Sequence, residues 1–366
     1  MTLAKRPLTS ARVQAIPASG IRRFFDLIAS TAGVISLGVG EPDFVTPDHI
    51  REAAVKSIRD GETHYTSNYG ILRLRERIAA HALARRGVAY DPAREILVTV
   101  GVSEAVDLAF RATIDPGDEV IVAAPSYVAY VPAIVLAGGT PVAVAAGAES
   151  GFRLRPADVA RALTPRTRGI LLGFPNNPTG GVLEEADVAG IAALAREHDL
   201  LVYSDEIYDR LVYGTEHRSV LSQPGMRERT VYLNGFSKAY AMTGWRVGYA
   251  CAPAAIIEQM MKIHQYTVMC VPTAAQHAAI EALDHGEDDV LRMVAEYDRR
   301  RKLVWSRFNA MGLACHEPRG AFYCFPDVRA TGLSDEVFSE RLLKEEKVVL
   351  VPGSAFGARG AGHVRA

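Results

Sequence analysis

Short runs of apolar residues alternate with longer amphipathic stretches through the middle of the chain. Buried-strand patterns cover residues 95–101, 119–124, 168–174, 200–205, 230–235 and 246–251, and helical patterns such as 103–113 and 184–198 separate several of them. Strands that are apolar on both faces and alternate with helices are typical of a parallel sheet with helices on both sides. The pattern therefore predicts an α/β fold built on a mostly parallel sheet.

The pattern changes after about residue 285. Residues 288–311 predict one long charged helix, 320–326 a strand, 334–346 a helix, and 348–357 a strand followed by a turn. This order predicts a second, smaller α+β domain. We expect an N-terminal arm with part of the small domain at residues 1–44, a large domain at 45–284, and a small C-terminal domain at 285–366.

Residues 120–148 carry no charge and are numerous enough to span a bilayer. Three prolines and the Gly138-Gly139 pair interrupt the stretch. Strand, turn, helix and strand therefore fit it better than one spanning helix, and we expect no membrane association.

The composition excludes several other classes of protein. The chain has 366 residues, 49% of them hydrophobic, and a formal net charge of -1, which gives no indication of a nucleic-acid partner. The four cysteines form no CxxC pair and the ten histidines form no HExxH motif, so we expect no metal site. Because free thiols persist in reducing compartments, we expect a cytoplasmic protein.

Residues 235–248 hold the most informative chemistry. Lys238 stands among small residues, and Arg246 follows eight positions later between two glycines. A lysine with few polar neighbours is poorly solvated as a cation, and it becomes a nucleophile once its pKa falls. An arginine beside glycines can present its planar fork to a phosphate. The pair suggests an imine-forming lysine next to an anchor for a phosphorylated aldehyde, although a surface loop would give the same pattern.

Three further segments place candidate ligands at predicted strand ends. Gly101, Val102 and Ser103 lead from a strand directly into a helix, where Ser103 fits an N-cap and free amides favour an anion. Asn177 lies in a proline-bounded turn that either aims its amide at a ligand or is a plain turn. Asp205 ends a buried strand and must have a partner, either a protonated pyridine nitrogen or a core arginine.

These motifs occur together in one enzyme family. They are the stretch at 235–248, Asn-Pro-Thr-Gly at 177–180 and Ser-Asp-Glu-Ile-Tyr at 204–208. Over essentially its whole length the chain resembles the class I/II, fold-type-I aminotransferases that depend on pyridoxal 5'-phosphate (PLP). It is most similar to the subgroup of archaeal and bacterial aromatic and aspartate aminotransferases. The resemblance implies a large PLP-binding domain and a homodimer.

The resemblance also implies a role for each matching residue. Lys238 would form the internal aldimine with PLP and then move the proton between the substrate Cα and the cofactor C4′. Asp205 would pair with the protonated ring nitrogen, which keeps the ring an electron acceptor. Tyr127 would stack on the face of the cofactor ring. Asn177 and Tyr208 would hydrogen-bond the phenolic oxygen of the cofactor.

The remaining implied ligands bind the phosphate and the substrate. The phosphate would be held by the backbone of Gly101, Val102 and Ser103 together with Ser237 and Arg246. Tyr65 would reach the phosphate of the partner subunit. The substrate would lie by Gly40 and Asn177, with its α-carboxylate clamped bidentately by Arg365.

Two features depart from the family pattern. Gly235 stands where many members have a phosphate-binding serine, so we expect that contact to be missing. The sequence stops at Ala366, one residue after Arg365, whereas relatives continue through a strand and a final helix. If this end is native, we expect Arg365 on a fraying end. The alternative, which explains the missing elements better, is a shortened sequence that leaves the small domain truncated.

We expect an aminotransferase (EC 2.6.1.-) working by a ping-pong mechanism. The donor would be an aromatic or broad range of α-amino acids, and the acceptor a 2-oxo acid such as 2-oxoglutarate. Aromatic residues at 320–325, Tyr127, Phe24 and Phe25 are compatible with an aromatic substrate, and aspartate is the alternative donor. A PLP-dependent lyase would need no 2-oxo acid. A PLP-binding regulator would need a DNA-binding module, yet the first forty or so residues carry no helix-turn-helix pattern.

Overall fold

The computed structural model of this chain describes residues 8–16 and 33–366. The aromatic pair Phe24 and Phe25 lies outside the described residues.

In chain order, the helices are α1 (Ala11–Gln14), α2 (Asp48–Arg59), α3 (Leu72–Arg86), α4 (Gly101–Thr113), α5 (Tyr130–Ala137), α6 (Pro156–Ala162), α7 (Glu185–Glu197), α8 (Ala254–Thr267), α9 (Thr273–His285), α10 (Glu287–Ala310) and α11 (Asp335–Glu346). The strands are β1 (Ile35–Ser36), β2 (Ile96–Thr99), β3 (Glu119–Ala124), β4 (Thr140–Ala145), β5 (Thr167–Gly173), β6 (Leu201–Asp205), β7 (Thr230–Gly235), β8 (Gly248–Cys251), β9 (Val348–Val349), β10 (Val351–Pro352) and β11 (Val364–Arg365). Short 3₁₀ turns lie at Ala148–Ser150, Val220–Ser222, Arg329–Thr331, Gly353–Phe356 and Ala358–Gly360.

The central sheet has the strand order β2-β8-β7-β6-β5-β3-β4. Strand β8 runs antiparallel to both of its neighbours, and the other pairings are parallel. Every residue of β2, β7 and β8 is buried, as expected for strands with both faces covered. The predicted α/β fold with a mostly parallel sheet is confirmed.

Alternate residues of β6 enter different cores. The ring of Tyr203 packs against Phe110 of α4 with ring centroids 4.7 Å apart. Val202 belongs to a separate core with Val188 and Ile191 of α7. Successive side chains of a strand point to opposite faces, so Asp205 follows Tyr203 to the α4 side of the sheet.

The carboxyl ends of β2, β5, β6 and β7 meet at one edge of the sheet. Strand pairing sets Gly173 opposite Asp205, and Gly235 opposite Gly248. In open α/β sheets the loops that leave this edge form the usual ligand crevice. The motifs at the ends of these strands therefore converge.

The helix after β2 corrects one prediction. Helix α4 begins at Gly101, with Val100 in the N-cap position, so Ser103 lies inside the first turn and is not the N-cap. The physical reason is the backbone of Gly101, whose φ of 72° turns the chain into the helix directly after the strand.

Residues 320–326 correct a second prediction, because they do not form a strand. Gly320 makes only an isolated bridge to Val212, and Ala321 has a left-handed φ of 55° that breaks the extended backbone. The aromatic content of the segment resembled that of a strand, but Tyr323 lines the cavity described below and Phe325 packs into a separate core.

The last residues are tied into the fold, contrary to the expected fraying. Strand β11 pairs antiparallel with β10, which places Arg365 opposite Val351. Ala366 exchanges both backbone hydrogen bonds with Cys324, at 2.9 Å each. Arg365 is therefore anchored on both sides and is only 4% exposed.

Within residues 8–16 and 33–366, no helix combines the length and the apolar character that crossing a membrane requires.

Candidate active site

A cavity of about 440 Å³ opens at the carboxyl edge of the sheet. Most of the predicted site residues line it: Gly40, Val102, Ser103, Tyr127, Asn177, Asp205, Tyr208, Ser237, Lys238, Arg246 and Arg365. Two predicted residues, Gly101 and Tyr65, do not belong to this lining. Folding thus brings together side chains from both ends of the sequence.

Lys238 lies in the loop after β7 and points into the cavity. Its Nζ donates a hydrogen bond to the carbonyl oxygen of Gly40 at 2.6 Å. Burial, and next the positive charge of Arg365, lower the pKa of Lys238 to about 8. A lysine with this pKa is neutral in roughly a tenth of molecules at pH 7, so it can act as a nucleophile and as a base.

Asp205 ends β6 beneath the same cavity. Its carboxylate accepts hydrogen bonds from the hydroxyl of Tyr130 at 2.8 Å and from the amide of Ile207 at 3.2 Å. Burial raises the pKa of Asp205 to about 6 despite these two hydrogen bonds. Both donors are neutral, so the core-arginine pairing that the sequence left open is not what holds this carboxylate.

Arg246 lies against the start of α4. Its Nη1 donates to the carbonyl oxygen of Thr243 at 3.0 Å. A Cβ on Gly101 would collide with the guanidinium of Arg246, so a glycine is required there for the arginine to reach the helix start. Helix-start amides and an arginine together form a site suited to a phosphate. Gly101 therefore contributes to this site by leaving room for the guanidinium of Arg246.

The absence of a serine at position 235 has a steric explanation. A Cβ on Gly235 would lie 2.8 Å from the Cα of Gly248 and 2.9 Å from the carbonyl oxygen of Val247. Strands β7 and β8 approach too closely here for any side chain. The backbone therefore leaves no room for a serine side chain at position 235.

Arg365 projects from β11 into the opposite wall of the cavity. Its Nη1 donates to Oδ1 of Asn177 at 2.8 Å, and its Nη2 donates to the carbonyl oxygen of Gly38 at 2.6 Å. The guanidinium lies 4.6 Å from the ring centroid of Tyr323 and 4.8 Å from that of Phe356. A guanidinium packed against two aromatic rings can bind a carboxylate bidentately.

Aromatic hydroxyls connect the two walls. The hydroxyl of Tyr208 lies 2.6 Å from that of Tyr323. Tyr127 is half-buried and packs edge-on against Tyr130, with centroids 5.4 Å apart. The predicted ring-binding residues Tyr127, Asn177 and Tyr208 therefore all border one space.

Sequence reasoning missed two residues that shape the site, Tyr130 and Tyr323. Tyr130 starts α5 three positions after Tyr127, and a turn between them, closed by a hydrogen bond from the amide of Tyr130 to the carbonyl oxygen of Tyr127, brings the two rings together. That spacing was the available signal. Tyr323 lies in the segment 320–325, whose aromatic residues indicated only compatibility with an aromatic substrate.

Tyr65 stands apart from the cavity of its own chain. It is 81% exposed on the loop before α3. This loop is fixed by hydrogen bonds from Thr273 to the carbonyl oxygen of His64 and from Asn68 to that of Met269. The predicted contact with a partner subunit stays a prediction.

Comparison with known proteins places this chain in a family. The profile of the family described as aminotransferase class I and II matches residues 32–366. The chain belongs to this family, and it is an aminotransferase.

Three curated relatives cover nearly all of the chain. It is 50% identical to the "Putative aminotransferase YugH" of Bacillus subtilis, over 96% of this chain and 92% of that protein. It is 46% identical to "Aromatic-amino-acid aminotransferase 2" of Thermococcus litoralis, over 97% and 92%. It is also 46% identical to the "Aspartate aminotransferase" of Pyrococcus abyssi, over 97% and 92%.

The fold comparison agrees. The crystal structure of Pyrococcus protein-A1 superposes with a TM-score of 0.95 at 47% identity, covering 97% of this chain and 92% of that one. The names of the relatives divide between aromatic and aspartate activities at equal identity, so they do not decide the substrate.

Proposed function

We propose that this aminotransferase uses PLP and takes an aromatic or broad range of α-amino acids as donor. The observation that carries the cofactor assignment is the burial of the Asp205 carboxylate, to which no cationic side chain of the described residues donates a hydrogen bond. This carboxylate is buried beside the cavity with two neutral donors, and burial holds its pKa near 6. A buried carboxylate at a cavity is stabilised by a cation within it. The protonated ring nitrogen of PLP is such a cation.

The other residues around the cavity fit the same cofactor. In the proposed arrangement the phosphate ligands are Gly101, Val102, Ser103, Ser237 and Arg246, the ring ligands are Tyr127, Asn177, Asp205 and Tyr208, and Lys238 carries the cofactor. The fit is supported by Gly101, whose missing side chain leaves room for the guanidinium of Arg246. It is supported also by the lowered pKa of Lys238.

The proposed chemistry divides between the cofactor and the protein. When bound, PLP supplies an electron sink for negative charge at the amino-acid Cα. Asp205 would keep the proton on the ring nitrogen. Lys238, with a pKa near 8, would accept the Cα proton and return it. Arg365 would hold the α-carboxylate so that the Cα–H bond faces Lys238.

The lining supports an aromatic donor over aspartate. Among the described residues, the cationic side chains of the lining are Lys238, Arg246 and Arg365, and each already has a proposed role. A second substrate carboxylate would therefore need a cation from elsewhere. The lining of the cavity also includes Val39 and Val128, which suit an apolar substrate side chain. 2-Oxoglutarate is proposed as acceptor on the family resemblance alone.

We further propose a cytoplasmic homodimer in which Tyr65 reaches the phosphate of the partner subunit. The support is the exposure of Tyr65 on a fixed loop. Tyr266 lies in the last turn of α8, and Val268 and Met269 follow this helix. All three side chains are exposed as well. The cytoplasmic location rests on the four free cysteines.

The test is a visible absorption spectrum of the purified protein with PLP, recorded before and after adding single amino acids without any 2-oxo acid. We expect aromatic amino acids to convert the cofactor band to that of the amine form, and 2-oxoglutarate to restore it. Lys238→Ala is the control that should lose this conversion. A band that no amino acid changes would contradict the proposal, and steady product release without a 2-oxo acid would indicate a lyase.

A further inference from the structure

Tyr323 lies between the groups proposed to bind the cofactor ring and the substrate carboxylate. Its hydroxyl is 2.6 Å from the hydroxyl of Tyr208. The face of its ring lies 4.6 Å from Cζ of Arg365. The side chain is buried and lines the cavity. One residue thus contacts both halves of the site.

Three separate segments fix the position of this side chain. The left-handed turn at Ala321 redirects the chain, and Cys324 then exchanges two backbone hydrogen bonds with Ala366. This pairing keeps Tyr323 next to Arg365. The third segment contains Gly40. A Cβ at this position would collide with the hydroxyl of Tyr323, so the glycine leaves room for that hydroxyl.

Counting donors gives this contact a direction. A phenol has one proton to donate and can also accept. If Tyr208 donates its proton to the phenolic oxygen of PLP, it has none left for Tyr323. Tyr323 must then donate to Tyr208, and a hydroxyl that accepts a hydrogen bond is a stronger donor in turn.

We infer that Tyr323 is a positioning residue that couples the two halves of the site. Its hydroxyl directs the proton of Tyr208 toward the cofactor, and its ring packs against the guanidinium of Arg365 and positions it for the substrate carboxylate. The inference rests on the proposed PLP function.

Three variants of the holoenzyme separate these contributions. Tyr323→Phe removes the hydroxyl and keeps the ring under Arg365. Tyr323→Leu removes both. Phe356→Leu is the matched control, because the ring of Phe356 also packs against Arg365, with its centroid 4.8 Å from Cζ, and has no hydroxyl to offer Tyr208. The charged and titratable groups facing the Tyr323–Tyr208 pair are Arg365, Tyr127, Asp205 and Lys238, and all three variants keep them.

Three measurements are made on each variant: kcat and KM with L-phenylalanine and 2-oxoglutarate, the dissociation constant of the unreactive 3-phenylpropionate, and the pH midpoint of the visible cofactor band. For Tyr323→Phe we expect kcat to fall about fivefold, the scale of one hydrogen bond. The band midpoint should move to higher pH, because a weaker donor stabilises negative charge on the phenolic oxygen less well. KM and the dissociation constant should stay within about twofold of wild type, because the ring face against Arg365 is kept.

For Tyr323→Leu we expect the same spectral shift and, in addition, an affinity for 3-phenylpropionate that is about three- to tenfold weaker. Phe356→Leu should weaken this affinity without moving the band midpoint.

The inference is overturned if Tyr323→Phe keeps the wild-type kcat and band midpoint. It is also overturned if Tyr323→Phe weakens 3-phenylpropionate binding as much as Tyr323→Leu, since a general packing defect would then explain both. A wild-type protein whose band responds to no amino acid would instead refute the proposed function, and the two failures are therefore distinguishable.

Discussion

Asp205 and Glu206 are neighbours in the chain, and both are carboxylates buried beneath the same edge of the sheet. Asp205 is 5% exposed and Glu206 is 1% exposed. Asp205 faces the cavity with two neutral hydrogen-bond donors. Glu206 faces away from it, where Arg86 lies 2.9 Å and His217 2.7 Å from one oxygen, and the hydroxyls of Ser204 and Ser219 bond the other.

The two surroundings move the pKa values in opposite directions. Burial raises the pKa of Asp205 to about 6. Burial also opposes ionisation of Glu206, but the charges of Arg86 and His217 outweigh it and lower the pKa to about 2. The difference separates a structural charge, fully partnered by the protein, from a charge that has room for a ligand.

The largest expected effect is on catalysis by Asp205→Asn. We expect kcat to fall about 10²- to 10³-fold, the scale for losing one preorganised electrostatic contact. The free energy of unfolding of the cofactor-free protein at pH 8 should not fall, because the substitution removes a charge that burial disfavours. Steady-state kinetics and urea unfolding measure the two. A destabilised Asp205→Asn with normal kcat would reverse the comparison.

Glu206→Gln should show the opposite result. Within the described part of the chain, removing this charge leaves Arg86 with only Asp209 as a carboxylate partner. We expect the free energy of unfolding to fall by about 3 kcal/mol, because breaking a buried ion pair leaves an undercompensated charge. The kcat of the folded protein should stay within about threefold. Urea unfolding of the variant checks the first value, and a kcat loss as large as that of Asp205→Asn would count against a structural role.

The two carboxylates should also give opposite dependences of stability on pH. Native Asp205 binds its proton more tightly than in the unfolded chain, so this group makes stability fall as pH rises from about 4 to 6. Glu206 stabilises fully above about 4.5, and this contribution is lost as pH falls toward 2. Each effect is on the order of 2–3 kcal/mol at most.

Urea unfolding of the cofactor-free protein at several pH values measures both dependences. Asp205→Asn should flatten the slope between pH 4 and 6, and Glu206→Gln should reduce the loss below pH 4.5. Unchanged slopes in both variants would show that other groups dominate the acid response.

The smallest expected effect comes from Tyr130→Phe. The hydroxyl of Tyr130 donates to Asp205 and favours its ionised form, so its loss should raise the pKa of Asp205 further. We expect kcat to fall about fivefold, the scale of one hydrogen bond. PLP binding should weaken in parallel, and fluorescence titration would measure this as a higher dissociation constant. Glu206→Gln, which keeps this hydrogen bond, is the control.

The sequence pattern predicted the sheet well because strand and helix periodicity is local. The strand predicted at 119–124 is observed as Glu119–Ala124. The predictions for the start of α4 and for the segment 320–326 were wrong because the backbone conformations of Gly101 and Ala321 determine the structure there. Ala321 has a positive φ, which a sequence pattern does not predict for an alanine.

The site was predictable only where its residues belong to a motif. Lys238, Asp205 and Arg246 were selected from their neighbours in sequence, and they line one cavity. Tyr130 and Tyr323 act through contacts with residues 75 and 115 positions away, which no local pattern predicts. The spacing of Tyr130 from Tyr127 was a signal that these two residues lie close together, but not that Tyr130 contacts Asp205. Glu206 was part of a recognised motif, yet only the structure distinguishes its role from that of Asp205.

The most direct test of the central claim compares wild type, Asp205→Asn and Glu206→Gln, each loaded with PLP and mixed rapidly with L-phenylalanine without a 2-oxo acid. The visible spectrum reports conversion of the cofactor in a single half-reaction. We predict that Glu206→Gln converts within about threefold of the wild-type rate and that Asp205→Asn binds PLP but converts at least about 100-fold more slowly. Equal rates for Asp205→Asn and wild type would contradict the assignment of the cavity as a PLP site organised by Asp205.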